Sequence, residues 1–154
     1  MKQSSVPVLV LSARQDDAEV INQALRRAGL RARCHWDANV TNFAKSAAAG
    51  DAQLLFIADE AVETGIADAA RLRDRYLKGV PLLALRKFTD EEAMTDAMIA
   101  GAQDVVSFAQ VRRLVAVAMR ELRTYRLQLA LSRASQSVRQ YRAQVDSLMA
   151  GSRM

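Results

Sequence analysis

Five short apolar runs, each followed by a stretch of a different periodicity, constrain this chain more than anything else in it. Val6 to Leu11 is β-rich and apolar, and the polar segment Ser12 to Asp17 leads into Val20, Ile21, Ala24, Leu25 and Ala28 at helical spacing. Gly29 stands where a helix places its left-handed terminal residue, after which Leu30, Ala32, Cys34 and Trp36 alternate with polar residues as in a half-buried strand. Val40 to Ala49 is weakly helical and stops at Gly50. Leu54 to Ala58 is an uninterrupted apolar run of the length of a buried parallel strand. A polar helix over Ala67 to Tyr76, a break at Gly79 and Pro81, and the run Leu82 to Leu85 repeat the unit. Thr89 three residues before Glu92 has capping-box spacing for a helix ending at Gly101, and Asp104 to Ser107 makes a fifth strand. Strands alternating with helices five times over predict an α/β domain with a five-stranded, doubly wound parallel sheet covered on both faces.

After Ser107 neither Gly nor Pro appears until Gly151, so the chain can continue as one helix of about 40 residues, on the order of 60 Å long. Val111, Val115, Ala118, Leu122, Tyr125 and Leu129 form one apolar stripe, expected to dock on the sheet. Leu127, Leu131, Ala134, Val138, Tyr141, Val145 and Leu148 form a second, in another phase and with no sheet left to cover it. Spacings alternating four and three call for a partner helix in a left-handed coiled coil, so the expectation is a parallel homodimer. The chain divides on this reading into a domain at 1–125 and a helical coiled-coil linker at 126–154, about three heptads that lead to a further domain after Met154.

Charge follows the same division. The net charge is +5, but residues 1–109 carry 13 Lys/Arg against 15 Asp/Glu and residues 110–154 carry 9 against 2, so the basicity belongs to the tail. Cys34 is the only cysteine and has no metal-ligand spacing around it, which excludes an internal disulfide and gives no zinc site. No apolar run approaches the roughly 18 residues of a membrane span, and Met1 to Pro7 has no signal-peptide core. A cytoplasmic protein without a cofactor is expected.

The five-strand pattern and the phrase Ala100-Gly101-Ala102-Gln103-Asp104 before the fifth strand resemble the receiver domains of two-component signalling, of flavodoxin-like fold, over nearly all of residues 6–125. The resemblance implies two carboxylates after the first strand for Mg²⁺, a phosphoacceptor aspartate after the third, a Ser or Thr after the fourth and a Lys after the fifth. This chain has Ser12 and Ala13 at the acidic pair, Ala58 at the acceptor, Arg86 at the hydroxyl position and Phe108 at the lysine. Hard oxygen ligands, nucleophile, hydroxyl and cation are thus all replaced, and the expectation is a degenerate receiver that is not an enzyme. Shorter phrases, among them Ala28-Gly29, Arg33-Cys34-His35, Ala58-Asp59-Glu60, Thr95-Asp96-Ala97-Met98 and Arg120-Glu121-Leu122, are similar to the N-terminal receiver of FimX-type type IV pilus regulators. That resemblance implies a dimerisation and targeting module of a cyclic-di-GMP signalling protein, acting at the cell pole or on the pilus machinery in twitching motility, with a protein partner it does not identify.

Two other functions stay open. Sliding the third strand by one residue makes Asp59 a competent phosphoacceptor, with Asp16 and Asp17 as metal ligands, but flips every side chain of that strand; capping of the first helix explains Asp16 and Asp17 more simply. Arg120, Arg123 and Arg126 before a heptad run superficially suit a basic nucleic-acid-binding helix, but they alternate with Leu122 and Tyr125, and a solvated helix face is the stronger reading. Cys34, His35 and Trp36 alternate across a strand and do not share a face. Met94 and Met98 are read as packing before recognition, while Phe108 either fills the emptied pocket or belongs to the core.

Overall fold

The computed structural model describes residues 5–58, 65–88 and 90–151. The elements run β1 (Val6–Leu11), α1 (Gln15–Arg27), β2 (Ala32–Asp37), α2 (Val40–Ala48), β3 (Leu54–Ile57), α3 (Ile66–Tyr76), β4 (Leu82–Arg86), α4 (Glu91–Ala100), β5 (Asp104–Ser107), a 3-10 turn (Phe108–Gln110) and α5 (Val111–Gly151). All four ladders are parallel, in the order β2-β1-β3-β4-β5. The five-strand parallel sheet and the long C-terminal helix are those read from the sequence.

The apolar runs of β1, β3 and β4 are buried on both faces, which is why they lack alternation. On one face Val8, Val10, Leu54, Phe56, Leu83, Leu85 and Val106 pack against Ile21 and Leu25 of α1 and Leu114, Val117, Ala118 and Leu122 of α5. The other face is covered by α2, α3 and α4, with Phe43, Ala47 and Ala69 fully buried. β2 and β5 are the edges. At β5, Arg113 of α5 donates to the Val105 carbonyl and, at 3.2 Å, to Asp104 Oδ1, closing an edge that otherwise offers free backbone groups. Asp104 also accepts from Arg120 at 3.2 Å, so one carboxylate ties the edge strand to two turns of α5. Between α3 and the entry to β5, the buried Arg73 donates to the Gly101 carbonyl and to Gln103 Oε1, which itself accepts from the Leu82 amide at 2.6 Å.

Three local expectations are corrected. Thr89 of the capping box lies outside the described residues, and the cap of α4 is Asp90, whose Oδ1 accepts from the Ala93 amide at 2.7 Å. Asp16 and Asp17 occupy the first turn of α1, where they favour the positive end of its dipole, but its N-cap residue is Arg14 and no side chain caps it. Of the stripe expected to dock, Ala118 and Leu122 are buried and Val115 packs against the cluster, while Val111 is 40% exposed; Leu114 and Val117, outside that stripe, are buried beside them.

The chain forms two compact units, one ending at Leu122 and one beginning at Arg123. In the second, Leu127, Leu131, Val138, Tyr141 and Leu148 are 53% to 75% exposed, Ala134 is exposed, and Val145 is half-buried.

Candidate functional site

Open parallel sheets carry their sites beyond the carboxyl ends of the strands. Here the registers Leu11↔Ile57, Ile57↔Ala84 and Arg86↔Ser107 align the ends of β1, β3, β4 and β5 in one row. Ser12, Ala58, Arg86 and Phe108 sit on that row, so four of the residues singled out from sequence do share one edge of the domain.

Ser12 is fully buried and hydrogen-bonded on every side. Its amide donates to the Asp37 carbonyl at 3.1 Å and its carbonyl accepts from Trp36 Nε1 at 3.0 Å. Its hydroxyl donates to the Arg14 carbonyl at 2.7 Å and accepts from the Arg14 amide at 3.3 Å. A serine closed on the backbone two residues ahead makes a tight turn into α1 and presents no oxygen outward. Ala13 is exposed and carries no donor. Ala58 follows β3 directly, donates its amide to the Leu11 carbonyl at 2.8 Å, and packs in the cluster between sheet, α1 and α5. Asp59 lies outside the described residues.

Arg86 ends β4 half-buried. Beside it Ser107 Oγ donates to the Lys87 carbonyl at 2.6 Å and accepts from the Ala109 amide at 3.1 Å, so this hydroxyl too is held by backbone. Phe108 is half-buried and packs against the α1/α5 cluster together with Trp36 and Cys34. His35 points away from both, with Nε2 3.2 Å from Oδ1 of Asp37. Burial pushes the Cys34 thiol up to about 12, the nearby Arg26 charge opposing this in part.

The described donor set does not fit a hard divalent cation. The tip of β1 offers a hydroxyl already bonded within its own turn, and the described residue after β3 is an alanine. Among the described residues no three His, Cys, Asp or Glu side chains converge on a common point. Asp37, at the end of β2, is 4% exposed and accepts from Ser46 Oγ at 3.1 Å, which fastens β2 to α2.

Solved structures match this fold across most of the chain. The signal receiver domain of an HD domain-containing protein from Pseudomonas fluorescens aligns with a TM-score of 0.69 at 15% identity, over 84% of this chain and 96% of that one. The fold is the receiver fold. A putative response regulator from Chloroflexus aurantiacus aligns at 0.66 and 20% identity over 77% and 98% of the two chains. A putative pilus assembly-related protein from Burkholderia pseudomallei aligns at 0.62 and 21% identity over 79% and 92%. No family sequence model and no curated protein matches.

Sequence reasoning missed Trp36 and Ser107 as organisers of this edge. Nothing at position 36 signals that its indole reaches the carbonyl of Ser12, 24 residues back; that contact follows from β1 pairing with β2. Ser107 carried a usable signal, a hydroxyl directly before a helical turn, where it serves as the N-cap. Among the described residues no helix is long and apolar enough to cross a membrane.

Proposed function

We propose that this chain is a pseudo-receiver: a receiver-fold module that signals by protein contact, without phosphorylation, and assembles as a parallel homodimer through Leu127, Leu131, Ala134, Val138, Tyr141, Val145 and Leu148. The observation that carries the reading is Ser12. Where a phosphoryl-transfer receiver needs acidic metal ligands, this residue is sealed by four hydrogen bonds, and its neighbour Ala58 is an alanine packed in the core. The half-buried Phe108 stands at the lysine position and supports a pocket held in one state. On this reading the protein's context is a cyclic-di-GMP signalling protein that controls type IV pilus twitching motility from the cell pole. Support for that context is the phrase-level resemblance together with the shared fold of a putative pilus assembly-related protein.

The test is incubation of the chain with Mg²⁺ and acetyl phosphate, read by intact mass, and with beryllofluoride, read by amide chemical shifts. No added phosphoryl mass and no shift at the ends of β1, β3 and β4 are expected. A phosphoryl adduct that disappears in Asp59→Asn overturns the pseudo-receiver reading and makes Asp59 the acceptor.

A further inference from the structure

Two surface features of the first unit are complementary and lie on opposite layers. Between α1 and the start of α5 runs an open groove of about 490 Å³, lined by Val20, Ala24, Val111 and Val115 with Arg27 and Arg112 at its rim. Val20 and Val111 remain 45% and 40% exposed there. Across the sheet, α4 presents Glu92, Asp96 and Ile99 at i, i+4 and i+7, one stripe on one helix face, and Ile99 is 80% exposed with Met98 beside it at 50%. A stripe with two carboxylates at one end and a bare isoleucine at the other is the inverse of a groove wall with Val20 at one end and Arg27 at the other. Among the described residues, none of Arg27, Arg112, Glu92 and Asp96 forms an ion pair, although Arg14, Arg33, Arg71, Arg113 and Arg120 all do.

We infer that the α1/α5 groove receives α4 of a second copy of this chain. The occupant is fixed by charge and by length. The stripe from Glu92 to Ile99 spans seven residues, about 10 Å, and so does Val20 to Arg27 along the groove wall. Only the antiparallel arrangement matches chemistry along that length, setting Ile99 against Val20 and Glu92 against Arg27; the parallel one drives Ile99 onto a guanidinium. Because groove and stripe are different patches on opposite layers, one chain cannot satisfy its own groove. The contact is heterologous and repeats head to tail, giving a ring or an open file of copies. It is independent of the tail: the tail stripe pairs like with like through apolar side chains, whereas this contact pairs opposite charges beside one isoleucine.

Sedimentation velocity of the full chain over a wide concentration range, at low and at high salt, tests the inference. Species larger than the tail assembly grow with concentration at low salt and dissolve at high salt, since ion pairs at a rim are screened. Ile99→Asp, Arg27→Glu and Glu92→Arg each weaken this growth by about tenfold or more. The double variant Arg27→Glu/Glu92→Arg recovers it, because swapped chains restore the pair between copies. All three positions are on the surface, and unchanged circular dichroism and thermal midpoint confirm that the variants fold. Leu131→Ala weakens tail assembly and leaves the salt-sensitive growth in place, so failure of one contact is not mistaken for failure of the other. Absence of larger species at low salt, growth indifferent to the single substitutions, or a double variant as weak as its parents overturns the inference and leaves the groove to an acidic helix of another protein.

Discussion

Replacing Leu131 by alanine separates a tail that assembles from one that is merely long. In the single chain Leu131 is 69% exposed, so most of its side chain is available to a partner helix. Truncation to alanine removes three carbons, each worth about 0.8 kcal/mol when fully buried, or about 1.6 kcal/mol at this degree of exposure. A parallel dimer contains the position twice, for a total of about 3 kcal/mol, which weakens the dissociation constant roughly two hundredfold at 1.4 kcal/mol per decade. Alanine is the right substitution because it raises intrinsic helix propensity, so the loss cannot be ascribed to a melted helix. Sedimentation equilibrium at high salt is the assay, with Gln136→Ala on the outer face as the control that leaves assembly unchanged. High salt serves a second purpose. Residues 123–151 carry five arginines against Asp146, so screening relieves repulsion between paired tails while it suppresses the charge-driven contact of α4. A dissociation constant for Leu131→Ala within threefold of the parent refutes the assignment of assembly to this stripe.

Two further predictions concern the first unit. Gly101→Ala should destabilise the protein by about 2 to 4 kcal/mol in a urea titration, because φ is +124° and the new Cβ would lie 2.6 Å from Ala70 Cβ, which is fixed to α3; a loss under about 1 kcal/mol would show that α3 and α4 move apart freely. Cys34 should resist alkylation in the folded protein at pH 8 and react on unfolding, since burial holds its thiol near 12 against an ordinary value of 9.0. Its folded value is the higher one, so the stability it lends is complete below pH 9 and is lost as pH rises towards 12. Cys34→Ala should therefore lose stability less steeply over that window, and parallel curves would contradict the burial argument.

What the sequence disclosed depends on how far each signal reaches. The runs Leu54–Ile57 and Leu82–Leu85 are read correctly because a strand buried on both faces must be apolar throughout, and Gly29 and Gly101 mark their helix ends through positive φ. The cap of α4 is missed by one residue because Thr89 and Asp90 are both competent caps, and local preference does not rank them. The docked face of α5 is read in part: Val115, Ala118 and Leu122 pack as their spacing implies, but Leu114 and Val117 share that face and Val111 stays 40% exposed, because the helix buries a stripe wider than one residue per turn. At the strand ends, the substitutions at Ser12, Ala58 and Phe108 are legible residue by residue, but their closure is not. It depends on Trp36 arriving from β2 and on Lys87 lying beside Ser107, contacts made by pairing between strands far apart in the chain. The same limit hides the α1/α5 groove, whose two walls are some 90 residues apart and whose cations look, in sequence, like any others on a helix face. A functional reading from sequence therefore reaches what a single loop lacks, and the surfaces such a module uses emerge only once the sheet has brought distant helices together.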